Sequence, residues 1–254
     1  MTDPNRGVLY PGDLPRFTRI AAEGDVADLV EWFWIPQWDL PDGVSSAQRT
    51  LGYPAANLVI EGDDVGLWGA TTHVAERVLE GSGWAVGALL TPAGFAALTA
   101  APRDLVDTHV LLDAPEVVAS VSAVMPEDHS AAIAAFGAWL VDRAGALTGE
   151  GRLANDMVRM LMNDSSILRI EDAAARLAVS PRTLQRLAHR TVGLPPAAII
   201  RRRRLQEAAQ RVREAPGVRL ADVAAELGYA DQAHLANDFR TVLGLTASEY
   251  RENP

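Results

Sequence analysis

Two patterns divide the chain. Up to residue 112, short apolar runs alternate with turn signals; from Pro115 onward, apolar positions recur every three or four residues, the spacing of a helix face. In the first stretch, Asp25–Trp34 is expected to open as a helix capped by Asp25 and to finish extended before Pro36. Leu51-Gly52-Tyr53-Pro54 is a turn signal. Asn57–Ile60 and Val65–Trp68 are apolar runs joined by Glu61-Gly62-Asp63-Asp64, which reads as a hairpin. Ala75–Leu79 and Trp84–Leu90 are further strands split by Gly81-Ser82-Gly83, and Pro92–Ala100 is a short helix with proline near its start. In the second stretch, Pro115–Met125 and Ser130–Leu147 are expected helices. The latter carries an apolar seam at Ile133, Phe136, Leu140, Ala144 and Leu147. That seam serves either packing within its own domain or a homodimer interface over 130–148. Gly149-Glu150-Gly151 is expected to break it, Arg152–Met162 to form a further helix, and Asn163–Ser166 to be a polar linker.

The last part of the chain repeats itself. Ile170–Leu194 aligns with Leu220–Leu245 at an offset of 50 through the first helix and 51 after a one-residue insertion, and both segments end in Gly-Leu. Each unit reads as a helix, a tight turn and a second helix. In the first unit Ile170, Ala173, Ala174 and Leu177 make an apolar face, and Val179 plugs the turn. Ser180 caps the second helix with Pro181 at its first position. Leu184, Leu187 and Ala188 point inward, leaving Arg182, Gln185, Arg186 and His189 on one outer stripe. Arginine and glutamine are the side chains that contact guanine and adenine edges bidentately in the major groove. In the second unit Gly228-Tyr229 makes the turn, Asp231 caps, and Leu235, Phe239 and Val242 point inward. The equivalent stripe, Ala233, Ala236, Asn237 and Arg240, is poorer in hydrogen-bonding groups. Between the units Ala197–Glu214 reads as one helix containing Arg201-Arg202-Arg203-Arg204. Four successive residues point to all sides, so one or two are expected at phosphate and the rest solvated or salt-bridged.

Charge sharpens this division. The 254 residues carry a formal net charge of −10, but from Ile167 to Pro254 there are 14 Arg against 10 acidic residues, while the remainder has 9 Arg against 23. A basic part on an acidic body calls for an anionic partner. There is no cysteine, which excludes disulfides, thiolate metal sites, iron–sulfur clusters and a cysteine nucleophile. His73, His109, His129, His189 and His234 are scattered with no pair at metal-ligand spacing, and no nucleophile or dinucleotide motif is present. The expectation is therefore a non-enzyme without metal or cofactor. No apolar run has the length of a membrane helix, and the polar start, punctuated by Pro and Gly, reads as lacking a signal peptide. A cytoplasmic, nucleoid-associated protein without membrane contact is expected.

At Ala224, Ala225, Leu227, Gly228, Tyr229, Asp231, Gln232, His234 and Leu235, then Phe239-Arg240, Gly244-Leu245-Thr246 and Glu249-Tyr250-Arg251, the sequence resembles the AraC family of bacterial transcription regulators. The resemblance runs from Ile167 to Arg251, and the Ser-Pro-Arg-Thr-Leu-Gln-Arg of the first unit fits it too. It implies two helix-turn-helix motifs joined by a long helix, entering successive major-groove segments about 34 Å apart on double-stranded DNA. By position it implies DNA contacts from Arg182, Thr183, Gln185, Arg186 and His189, and from Gln232, His234, Asn237 and Arg240. The chain departs from the family pattern in placing Asn237 where arginine is usual and Ala233 where a polar residue is usual. The first motif is thus expected to read most of the sequence and the second to position the protein. The resemblance also implies a sensor or dimerisation domain, a small-molecule effector and a contact with RNA polymerase.

The expected architecture is an α+β N-terminal domain with a small antiparallel sheet or barrel, followed by an all-α C-terminal domain. The sensor domain spans 1–162 (strands in 1–112, helices in 113–162). The DNA-binding domain spans 163–254, with motifs at 170–190 and 220–241. Trp32, Trp34, Trp68 and Trp84, with Arg49 as an anion anchor, are the candidate effector residues. The competing function is a protein–protein interaction regulator that has lost DNA binding.

Overall fold

A computed structural model of the chain describes residues 16–215 and 217–252; the polar opening segment lies outside the described residues. The N-terminal half is an antiparallel sheet in the strand order β1 (Arg16–Ala21), β2 (Val30–Asp39), β8 (Val86–Leu90), β4 (Asn57–Glu61), β5 (Asp64–Trp68) and β9 (His109–Leu112), with the short β7 (Ser82–Trp84) also paired to β2. A separate ribbon pairs β3 (Ser45–Thr50) with β6 (Ala75–Glu80). The hairpin expected at Glu61–Asp64 is β4–β5, with Glu61 opposite Asp64. Asp25–Trp34 opens only as a 3-10 turn at Gly24–Asp28, which Asp25 does not cap; its second half is extended as expected, as the start of β2. The two strands flanking Gly81 do not pair with each other: β6 joins the ribbon and β7 joins β2.

Strand alternation gives the sheet two chemically distinct faces. Phe33, Ala88, Leu58 and Leu67 stand in register across four strands and are fully buried, as are Ile35, Ile60 and Val86. They pack against α2 (Pro115–Ser122) and α3 (His129–Ala144) through Val117, Val121, Phe136 and Leu140. This settles the use of the α3 seam. Phe136 and Leu140 are buried on the chain's own sheet, with Ile133 and Ala144 packed beside them, so the seam over 130–148 is not left free for a second copy.

The helices that follow form a second body. α4 (Gly149–Asn163) starts on a Thr148 cap whose hydroxyl accepts from Gly151 N, so Gly149-Glu150-Gly151 is its first turn and not a break. Ala154, Met157 and Leu161 of α4 share one apolar cluster with α5 (Ile170–Arg176) and α6 (Pro181–Thr191). α7 (Pro196–Glu214) then crosses from this cluster, through Ile199 and Ile200, into a second one through Leu205, Ala208 and Val212. The second cluster holds α8 (Leu220–Glu226), α9 (Gln232–Leu243) and α10 (Ala247–Glu252). The two bodies meet over short α1 (Pro92–Leu98), where the buried Asn155 side chain accepts from Ala93 N and donates to Asp28 O. This is the α+β half and all-α half expected from the sequence pattern.

The two helix-turn-helix turns solve the same problem with different residues. Both need a left-handed residue after the first helix: Gly228 in the second unit at φ 71°, and Ala178 at the equivalent place in the first at φ 53°. That region costs an L-residue with a Cβ roughly 1–2 kcal/mol and glycine almost nothing. Ala178→Gly is therefore expected to stabilise the chain by roughly 0.5–1 kcal/mol after the extra unfolded-state entropy of glycine is counted. Gly228→Ala should do the opposite, and more strongly, because its Cβ would lie 2.8 Å from Leu168 Cδ1. The paired urea midpoints test both signs.

Candidate nucleic-acid interface

α6 begins where the Ser180 hydroxyl accepts from Thr183 N at 3.1 Å, with Pro181 at its first position. Leu184, Leu187 and Ala188 are buried, which turns the opposite face outward. Arg182, Gln185 and Arg186 are exposed and, among the described residues, make no hydrogen bond or ion pair. Two residues of the expected set do not share that freedom. The Thr183 hydroxyl lies 2.8 Å from Ser180 Oγ and belongs to the cap. His189 is half-buried, its Nδ1 covered and without a hydrogen-bond partner among the described residues. Its neighbour Arg190 pairs with Glu150 of α4 at 2.8 Å. The exposed polar edge thus narrows to three side chains.

α9 is built the same way. Asp231 accepts from His234 N at 2.7 Å, and Leu235, Phe239, Val242 and Leu243 are buried. Gln232, His234, Asn237 and Arg240 are exposed, with the His234 ring set edge-on to Tyr229 at 5.2 Å. Asp238 is not on the exposed face. It is buried, and Arg201 donates to its Oδ1 through Nε at 2.9 Å and Nη2 at 2.7 Å. An acidic residue that would repel phosphate is thereby turned inward and neutralised.

The arginine run is the largest departure from the sequence expectation. Arg201 holds Asp238 on α9. Arg202 is buried and donates to Thr71 O at 2.7 Å and Gly52 O at 3.5 Å; burial pushes its pKa down to about 10, with Asp107 opposing the shift. Arg203 is completely buried and donates to the carbonyls of Leu161, Asp164 and Ile167. The Arg204 guanidinium lies 3.7 Å from the centroid of Tyr229. All four are engaged within the chain. The expected polar linker is likewise a tied elbow. Ser166 hydroxyl and N–H both donate to Asp164 Oδ1 and Arg176 also pairs with Asp164, which together hold that carboxyl below its ordinary pKa.

On the sheet, the face away from the helices presents two rows in register. One runs Arg19, Trp34, Gly87, Val59, Gly66, Leu111; the next runs Ala21, Trp32, Leu89, Asn57, Trp68, His109. Glycine leaves room for the indoles: a Cβ on Gly87 would lie 2.0 Å from the Trp34 ring. Trp34 Nε1 donates to Asn57 Oδ1 at 3.0 Å, and Trp68 stacks on His109 at 3.8 Å. Trp32, Trp34 and Trp68 therefore share one face. The other two candidates do not join them. Trp84 packs on the helix-covered core, and Arg49 pairs with Glu76 across the β3–β6 ribbon at 3.2 Å.

Among the described residues no group of His, Cys, Asp or Glu is arranged to hold a metal ion, and no helix is long and apolar enough to cross a membrane. Residues 173–253 match a helix-turn-helix domain family, and residues 18–111 match a domain of unknown function (DUF6597). Over 85 residues the chain is 35% identical to an AraC-like transcription regulator of Streptomyces lividans, covering 34% of this chain and 28% of that protein. Over 89 residues it is 32% identical to the HTH-type transcriptional activator AarP of Providencia stuartii, covering 35% of this chain and 65% of that one. The matched segment is thus less than two thirds of either relative. Among solved structures the fold is similar to an apo ToxT variant of Vibrio cholerae, at 11% identity and a TM-score of 0.45 over 87% of this chain and 97% of that one.

Proposed function

We propose that this chain, whose residues 173–253 form an AraC-type helix-turn-helix domain, is a sequence-specific DNA-binding transcription regulator and a binding module with no catalytic step. The observation that carries the reading is the α6 edge. Arg182, Gln185 and Arg186 are exposed and uncommitted on a helix whose other face is locked in a core. In this reading they enter the major groove and supply most base recognition. α9 enters the next groove segment, with Asn237 facing base edges and Arg240 on phosphate. The inward turn of Asp238 favours this over an interaction protein that has lost DNA.

The functional units are best divided in the Gly145–Leu147 segment, because α4 shares its core with α5 and α6. The N-terminal domain would sense an effector on the face carrying Trp32, Trp34 and Trp68. A planar or apolar small molecule suits indole surfaces backed by glycine. Contact with RNA polymerase follows from the regulator reading.

The test is DNA affinity of the full chain against salt. A fragment starting at 163 would lack α4 and lose part of the α6 core. The logarithm of the binding constant should fall linearly with log salt, by about 0.9 for each phosphate neutralised. A flat response, or no binding to any sequence selected from a random pool, would leave the interaction reading instead.

A further inference from the structure

The structure assigns a joint through which the N-terminal domain positions the second helix-turn-helix unit: the paired ends of the β4–β5 hairpin, Leu51–Tyr53 and Thr71–Val74, seated on Arg202 and Gln206 of α7. This inference rests on the DNA-binding reading above and adds two positioning residues to it.

The geometry starts with the hairpin. Asn57 at the start of β4 and Trp68 at the end of β5 are register partners, so the segments before and after them leave the sheet side by side. Both arrive at the middle of α7. Arg202 donates to Gly52 O and Thr71 O, one from each segment. Gln206 Nε2 donates to Leu51 O at 3.1 Å and Gly52 O at 3.4 Å. The Leu51 side chain is fully buried among Leu205, Ala208 and Phe239, inside the core of the second unit. Val74 N donates to Val242 O of α9 at 3.1 Å. The joint thus touches the linker helix and the second recognition helix together.

Its position on α7 gives it leverage. Ile199 and Ile200 belong to the first unit's core and Leu205 to the second, so residues 201–206 span the crossing between them. A lone helix between two small cores can bend. Arg201 fixes α9 to this crossing through Asp238, and Arg203 fixes the α4–α5 elbow to it. Arg202 and Gln206 then fix both to the N-terminal domain through backbone carbonyls that neither DNA-reading unit supplies. The other side of the joint reaches the aromatic face, where the Tyr53 ring meets Trp32 edge-on at 4.7 Å. A shift of the hairpin therefore moves Gly52 O and Thr71 O together, and with them the crossing that sets where α9 lies relative to α6.

The experiment uses the full chain with Arg202→Met and, separately, Gln206→Leu, each of which removes donors at near-constant volume. Two DNA duplexes are compared: a selected site with both contact segments, and the same site truncated before the second segment. Each variant should bind the complete site about tenfold more weakly than wild type, while affinity for the truncated site changes less than about twofold. One base pair inserted between the segments should penalise wild type more than either variant. Equal weakening on both duplexes, or unchanged spacing dependence, overturns the joint. If wild type binds no DNA, the functional reading falls, and amide hydrogen exchange decides the joint alone. Faster exchange over Gln232–Leu243 in Gln206→Leu supports it, and unchanged exchange overturns it.

Discussion

Arg203→Met is expected to lower the stability of the chain by about 3–5 kcal/mol, the cost of stripping a buried charged donor from partners that stay buried. The guanidinium is completely buried and its two terminal nitrogens reach three carbonyls, those of Leu161, Asp164 and Ile167. Leu161 lies in the last turn of α4, where helix carbonyls lack intrahelical donors, so Arg203 acts as a cationic cap on that end. Glu207 lies one turn further along α7, 3.6 Å from Nε, and offsets the charge. Methionine fills much of the volume but donates nothing. All three carbonyls then lose that donor, and the elbow between α4 and α5 loses its anchor to α7. Arg203→Lys should recover only part of the loss, because one ammonium cannot span the fork that meets three acceptors. Urea unfolding should show a lower midpoint at unchanged slope. A loss below about 1 kcal/mol would mean the elbow is held by other contacts.

Arg203 also marks the limit of what the sequence discloses. A run of four arginines at helical spacing must face all sides, and that much can be read directly. What each side meets cannot, because the partners are backbone carbonyls with no sequence signature, contributed from residues 52, 71, 161, 164 and 167. The sequence reading placed one or two of these arginines at phosphate and the rest in solvent or salt bridges; packing turned Arg202 and Arg203 into buried struts. Local chemistry was legible where one residue type has one job. Ser180 and Asp231 cap α6 and α9 as their positions require, and the repeat located both turns, although Ala178 holds a conformation that favours glycine. The aromatic set was half legible. Period-2 alternation puts Trp32 and Trp34 on one face, but Trp68 joins them only through pairing across β8 and β4, and Trp84 leaves because it stands opposite Gln37, on the face of Phe33 and Ile35. The α3 seam had two readings of equal merit in sequence, and only the sheet beneath it decides between them.

The double variant Arg182→Ala/Arg186→Ala should weaken binding to a selected site by roughly 2–6 kcal/mol, about thirtyfold or more, if each arginine contributes one bidentate base contact. Asn237→Ala should weaken the same site less than Arg186→Ala does alone. The asymmetry follows from the two exposed edges. On α6 three long polar side chains are uncommitted along one stripe, whereas the equivalent stripe of α9 sets Asn237 and Arg240 beside Ala233 and Ala236, which can present only methyl groups to a base, and its other exposed polar residues, Gln232 and His234, lie in the first turn. Phosphate and base contacts then separate by their signatures. Arg240→Ala should weaken all sequences alike and flatten the salt dependence by about one counterion. Arg186→Ala should instead relax the preference at one base pair. Because Arg182 and Arg186 take no part in the cores, the double variant should unfold at the wild-type urea midpoint, so lost affinity reports the interface alone. If Asn237→Ala proved the more damaging substitution on the selected site, base recognition would lie in the second unit. The tie from Arg201 to Asp238 would then hold the reading helix itself, in place of a helix that chiefly positions the protein.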